Sequence, residues 1–316
     1  MKKYIGKTAL FLLLFCLPLL VLEVALRQPE ADSYSLKKYL LDKTVETNEV
    51  LILGTSLAWT GLNPARIGEH CINLANYSQA FYYDLLILKS ALPKAKNLNV
   101  VVLPLSSLPF FGLPSERAEK LYSVYWGLPP FSGKKDLENY SAVLAYGLRE
   151  ALRTAFEPQE NLEDRGWGAF NIVYDGNESS ARMRLKNLHE QMAFEHFETC
   201  TAHLDSIVNL CKQHGIRLVL FHPPYSPTLN KLLEGNPYEE KMREYLRTFC
   251  PENDLEFYDF NDNGAFTATM FRDADHVNAE GSELLSRLIR DVIAGPPNAG
   301  DCGELTGTRG GMRDEG

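Results

Sequence analysis

Alternating apolar runs and helical periodicities predict an α/β fold, a doubly wound parallel sheet of five strands. Two observations carry this. Val50-Leu-Ile-Leu53, Val100-Val-Val-Leu103 and Arg217-Leu-Val-Leu-Phe221 are nearly continuous apolar runs, as expected of strands covered on both faces. Between them lie segments whose apolar residues step at helical spacing, and strand–helix alternation builds a parallel sheet.

The strands are expected at 50–54, 70–75, 99–104, 217–222 and 256–260. Phe81, Leu85, Leu88 and Leu92 mark a helix that ends before Pro93. Ala193, Phe197, Cys200, Leu204, Ile207, Val208 and Cys211 share one apolar face, stopped by Gly215 as a C-terminal cap. Leu284, Leu285, Leu288, Ile289 and Val292 form the last helix, with Asn278 as its N-cap. The domain is expected to span 48–295. It contains a long insertion after strand 3, residues 105–186, rich in Pro, Gly and aromatics such as Trp126 and Trp167. A connection this long over strand ends reads as a lid or substrate platform, or as a packed subdomain without a ligand. Residues 296–316, with little apolar content, are expected to be a disordered tail.

The N-terminus reads differently. Lys2, Lys3 and Lys7 precede an uncharged run from Thr8 to Leu22, closed by Glu23. Counted from Tyr4 and forgiving Lys7, the run is just long enough to span a bilayer. Residues 1–27 are therefore expected to be a single-pass transmembrane anchor and 28–47 a short stalk with one or two helical turns. The positive flank sets the orientation, placing the globular part outside the inner membrane, in the periplasm. A cleaved signal peptide is disfavoured because Glu23-Val-Ala25 makes a poor cleavage site.

A net charge of −9 argues against nucleic acid as a partner. Hydrophobic content of 45% supports a real core. The six Cys are too few and scattered for a disulfide scaffold or a zinc site. His189, His196 and His203 recur on one predicted helix, but steps of about 10 Å are too wide for one ion. No metal or cofactor is called for.

Chemistry concentrates at two places. Leu53-Gly-Thr-Ser-Leu57 puts Ser56 just past a strand. Phe271-Arg-Asp-Ala-Asp-His-Val-Asn278 puts Asp273 three residues before His276, so one loop supplies both a base and its orienter. Ser, His and Asp are the parts that activate a hydroxyl for nucleophilic attack. Both places, and His222, fall at or after the carboxyl ends of strands, where sites lie in such sheets. Asp275, adjacent to His276, is assigned to solvation or a turn. His222 either lines the pocket or makes a structural hydrogen bond. Tyr77 either stacks on a sugar or packs in the core.

In order, these pieces resemble the SGNH (GDSL-like) hydrolase superfamily, particularly its membrane-anchored members that handle acyl groups on cell-envelope polymers. The first block is Gly54-Thr-Ser56-Leu-Ala-Trp-Thr-Gly61-Leu-Asn-Pro64, with Thr55 where the family has Asp. The second is Ile72-Asn-Leu-Ala-Asn-Tyr-Ser78, with Ser78 in the place of a Gly. The last, Asp273-Ala-Asp-His276-Val-Asn-Ala-Glu-Gly281, matches best. After strand 3 the family's Gly-x-Asn-Asp is replaced by Leu105-Ser-Ser-Leu-Pro109. The resemblance implies a flavodoxin-like sheet, with Ser56 as nucleophile, His276 as base and Asp273 as its orienter. The backbone N–H groups of Ser56 and Ser78, with Asn76, would form the oxyanion hole, and Tyr77 and His222 would contact substrate. The implied activity is a serine esterase or O-acyltransferase acting on acyl, commonly acetyl, esters of an envelope carbohydrate. The alternative is a catalytically weak domain that binds or helps assemble an envelope polymer.

Overall fold

Five strands pair in parallel in the order β2-β1-β3-β4-β5: β1 Val50–Ile52, β2 Cys71–Asn73, β3 Val100–Pro104, β4 Arg217–His222 and β5 Phe257–Asp259. This is the flavodoxin-like order. In register, Val50 lies opposite Cys71 and Val100, Val100 opposite Arg217, and Leu220 opposite Phe257. A computed structural model describes residues 2–157, 164–261 and 264–295. The expected tail 296–316 lies outside the described residues.

The chain divides into two units, Lys43–Pro114 with Asn161–Gly316, and Met1–Asp42 with Ser115–Glu160. The first holds the sheet. Side chains alternate across a strand, so Val50, Ile52, Val100, Val102, Val219 and Phe221 share one face. They pack with Trp59, Leu62, Ile67, Leu285 and Ile289. Leu285 and Ile289 belong to the last helix, Ala279–Ala294. The helix Phe197–Gln213 packs on β4 and against the helix Phe81–Ala91. β2 is shorter than the 70–75 run because Asn73 turns its side chain inward. Its amide donates to Ala58 O (2.8 Å) and Leu62 O (2.9 Å), while its Oδ1 accepts from Ala75 N–H (3.0 Å).

The second unit is helical, and it corrects the reading of the N-terminus. Among the described residues no helix is long and apolar enough to cross a membrane. The transmembrane anchor, the membrane partner and the single-pass placement with an outward-facing domain are withdrawn with it. The helix Lys2–Leu26 contains Pro18. Its uncharged stretch between Lys7 and Glu23, fifteen residues at 1.5 Å each, is about 22 Å long against the roughly 30 Å of a hydrocarbon core. Lys7 ends the uncharged run before it reaches spanning length. The end of this helix also has partners in its own unit. Leu22 and Leu26 pack with Val124, Ala142, Val143 and Ala151. Glu23 caps the helix Ala142–Tyr146, accepting from Ser141 Oγ (2.8 Å) and from the N–H groups of Ala142 and Val143 (3.0 Å each). The stretch read as a stalk carries a twelve-residue helix, Ser33–Thr44, in which Tyr34, Lys37 and Leu41 are buried.

Candidate active site

The nucleophile turn leaves β1 at Leu53, whose N–H donates to Val102 O (2.9 Å). Gly54 then adopts φ +106°, and a Cβ there would lie 2.6 Å from Pro104 Cδ. Only glycine suits both the angle and the space. Thr55 caps the helix Ser56–Gly61, its hydroxyl accepting from Leu57 N–H (3.3 Å). Ser56 thus occupies the first helical position, where an N–H has no intrahelical acceptor. Its Oγ lies 2.8 Å from His276 Nε2 across 220 residues of sequence.

His276 sits in a tight hairpin. Phe271 and Val277 form an antiparallel bridge, and Arg272 N–H donates to His276 O (3.0 Å). Asn278 ends the hairpin and caps the last helix, accepting from the N–H groups of Glu280 (3.1 Å) and Gly281 (3.2 Å). A Cβ on Gly281 would stand 2.4 Å from Met270 O, so the helix can start this close only with glycine. Asp273 Oδ1 accepts from His276 Nδ1 (2.9 Å), His276 N–H (2.8 Å) and Asp275 N–H (3.2 Å). With Nδ1–H donated to Asp273, Nε2 is left to accept the Ser56 proton.

Asp275 is not a solvated turn residue. It is buried, and Arg184 of the helix Glu178–His189 grips it with two bonds, Nε to Oδ1 (2.8 Å) and Nη2 to Oδ2 (2.7 Å). Its Oδ1 lies 3.2 Å from His276 Nδ1. Burial pushes the Asp275 carboxyl up, but His276 and Arg184 outweigh it and hold it well below the ordinary range. Burial pushes His276 down, but the Asp275 charge and the Asp273 hydrogen bond prevail and raise it above the ordinary imidazole value. Asp273, Asp275 and His276 are also the set of ligand-type atoms, among the described residues, close enough for a metal, all within 4.8 Å. Both Asp275 oxygens already accept from Arg184, so the set works as a hydrogen-bonded unit.

The loop after β2 borders the same turn. Asn76 N–H donates to Gly54 O (3.0 Å), and Asn76 Oδ1 accepts from Tyr77 N–H (3.0 Å). Ser78 has φ +44°, the left-handed region that favours Gly. Ser carries a cost there of about 1 kcal/mol. Tyr77 is half exposed, its ring 4.4 Å from that of Trp59. Trp59 meets Phe170 edge to face (6.3 Å), and the Arg272 guanidinium covers Phe170 at 3.8 Å.

His222 stands apart from this group. It is fully buried; Nε2 pairs with Glu239 Oε1 (3.0 Å) and Nδ1 with Pro223 O (2.8 Å). Arg243 bonds Glu239 and Asp259, completing a charge network. Both ring nitrogens are committed, and no atom of His222 is left for substrate. The three histidines of the stripe go separate ways: His189 to Asn236, His196 to Phe111 O, His203 to the Tyr82 ring.

The sequence reading missed Arg184, the role of Asp275, and Asp84. Arg184 gives no local signal, since its partner lies 91 residues away. Asp84 does give one, a carboxylate three residues after Phe81 and four before Leu88, on the apolar stripe of its helix.

No family model and no curated protein matches the chain. Solved structures do. A candidate acylhydrolase from Bacteroides fragilis is 13% identical, with 83% of this chain and 97% of that one covered at a TM-score of 0.43. A GDSL-like lipase from Bacteroides thetaiotaomicron is 13% identical, with coverages of 83% and 98% and a TM-score of 0.41. A candidate lipolytic protein of the G-D-S-L family from Desulfitobacterium hafniense is 12% identical, with 78% and 99% covered and a TM-score of 0.40. The chain is similar to these proteins. Its own chemistry rests on the distances around Ser56.

Proposed function

We propose that the protein is a serine ester hydrolase with Ser56 as nucleophile, His276 as base and Asp273 as orienter. The observation that carries this is the unbroken line from Ser56 Oγ to His276 Nε2 (2.8 Å) and from His276 Nδ1 to Asp273 Oδ1 (2.9 Å). As Oγ attacks the acyl carbon, its proton passes to Nε2. The tetrahedral oxyanion is met by the N–H groups of Ser56 and Ser78. On collapse, His276 returns the proton to the leaving alcohol, and an acyl-Ser56 ester remains. Water then attacks that ester, giving its proton to His276, and as the C–Oγ bond breaks His276 passes that proton to Ser56 Oγ and the acid leaves. An alcohol in place of water would make the same site an acyltransferase. Tyr77 beside Trp59 offers a half-exposed aromatic face, which favours a carbohydrate as the alcohol part of the ester.

A second reading, a weakly catalytic binding domain, is favoured by Leu105-Ser-Ser-Leu-Pro109, which brings no Asn to the oxyanion. Losing one such donor costs about 100- to 1000-fold in rate. A fluorophosphonate probe separates the two. Covalent labelling of the wild type, absent in Ser56→Ala and His276→Ala, is expected for the hydrolase. Folded wild-type protein that stays unlabelled would point to the binding domain.

A further inference from the structure

The strongest unexplained group near the site is Asp84, fully buried in the helix Phe81–Ala91. Its Oδ1 accepts from Gly54 N–H (2.7 Å) and from the Gln79 side-chain amide (2.5 Å). Its Oδ2 is buried with no hydrogen-bond partner among the described residues. Gly54 is the hinge of the nucleophile turn. Its unusual φ takes its N–H out of the strand ladder, and a buried N–H needs an acceptor. Gln79 closes the loop that presents Ser78, its own N–H reaching back to Asn76 O (3.4 Å). One oxygen therefore touches both segments that would supply oxyanion donors.

We propose that Asp84 is a positioning residue that straps the Ser56 turn to the Ser78 loop and so sets the spacing of the two oxyanion N–H groups. This rests on the hydrolase reading of the site. The strap explains how a left-handed Ser78, without the conformational ease of glycine, is held in one place. It also accounts for a polar acceptor at this depth, since Gly54 N–H and the Gln79 amide both need one. Burial pushes the Asp84 carboxyl up to about 7, a cost accepted on a helix whose neighbouring positions are apolar. Its contact with Gly54 and Gln79 is indirect with respect to the reacting atoms, so its effect should appear in turnover more than in substrate binding.

The test uses the full chain, p-nitrophenyl acetate as substrate, and amide hydrogen exchange of segments 54–57 and 76–80. Asp84→Ala is expected to lower kcat about 100-fold, the size of one oxyanion donor, with KM within about threefold of wild type. Exchange should rise in both segments and little elsewhere. Asp84→Asn keeps the acceptor oxygen and should recover kcat to within about tenfold of wild type. Gln79→Ala should loosen 76–80 alone. If Asp84→Ala does not fold, the Asn and Gln79 variants decide the matter by the same readouts. Wild-type kcat in folded Asp84→Ala overturns the strap, as does an Asn variant no better than Ala, or exchange that rises uniformly across the chain. A wild type whose turnover matches that of Ser56→Ala defeats the hydrolase reading instead, and the exchange pattern alone then decides whether Asp84 ties the two segments.

Discussion

The hairpin 270–278 and the loop 76–79 both border the Ser56 turn, yet they are held by opposite means. The hairpin orients His276 by short-range bonds, beside long-range ones from Tyr174 N–H to Phe271 O (2.8 Å), from Ser226 N–H to Ala274 O (3.0 Å) and from Arg184 to Asp275. Asp273 accepts three bonds from residues two and three positions away, and Asn278 turns back on Thr269 O (2.7 Å). The loop is held from outside, by Asp84 through Gln79 and by Gly54 through Asn76, and it contains a left-handed Ser. A catalytic geometry written in short-range bonds survives the loss of distant partners. One written in long-range bonds is only as good as the packing beneath it.

The sharpest way to break this comparison is Asp273→Asn. The Asn amide would face Nδ1 with a donor and favour the wrong imidazole tautomer, so kcat should fall about 10⁴-fold while folding is retained. Ester turnover and a thermal melt on the same sample check both halves. A fall of less than tenfold would mean that Asp275 can replace Asp273 and that the hairpin is not the orienting unit.

Asp275→Asn sharpens the comparison from the other side, because Asp275 ties the hairpin to Arg184, 91 residues away. His276 must be neutral to act as base, so activity rises with pH through its folded-state pKa. The Asp275 charge raises that pKa. Removing it should move the acidic limb of kcat/KM to lower pH, with a plateau within about tenfold of wild type. Arg184 loses its buried partner, at a cost on the order of 3 kcal/mol in a urea titration. A limb that moves to higher pH would contradict the assigned electrostatics.

The smallest expected effect is Ser78→Gly. Relief of the left-handed angle is worth about 1 kcal/mol, and the freer unfolded chain takes back about half of it. A net gain of about 0.5 kcal/mol, with kcat unchanged or slightly raised, should show in chemical denaturation. A loss of stability would mean that the Ser78 side chain contributes more to the loop than its backbone angle costs.

Legibility followed the range of the interactions. The strands at 50, 100 and 217 were readable because burial on both faces leaves a continuous apolar run. The last helix and its Asn278 cap were readable because capping is local. Ser56, Asp273 and His276 could be singled out by residue type, turn position and a three-residue spacing. His222 could not be placed, since a His at a strand end looks the same whether it faces a pocket or Glu239. Asp275 was misread for a similar reason: what makes it a buried ion is Arg184, on a helix 91 residues away. The N-terminal run was misread because hydropathy counts residues, whereas the helix it forms has a length and a charged residue at each limit.

By itself, then, the sequence determined the strand–helix alternation, the carboxyl-end location of the candidate site and the three residues proposed for it. These follow from periodicity and short-range geometry, which the backbone imposes wherever the residues occur. Only the tertiary structure decided that Arg184 holds Asp275, that Asp84 accepts from Gly54, that His222 belongs to a buried charge network, and that Glu23 caps a helix near residue 142. Each of those is a pairing between groups far apart in the chain, and a hydrogen bond or ion pair is chosen by which groups are brought within about 3 Å of each other.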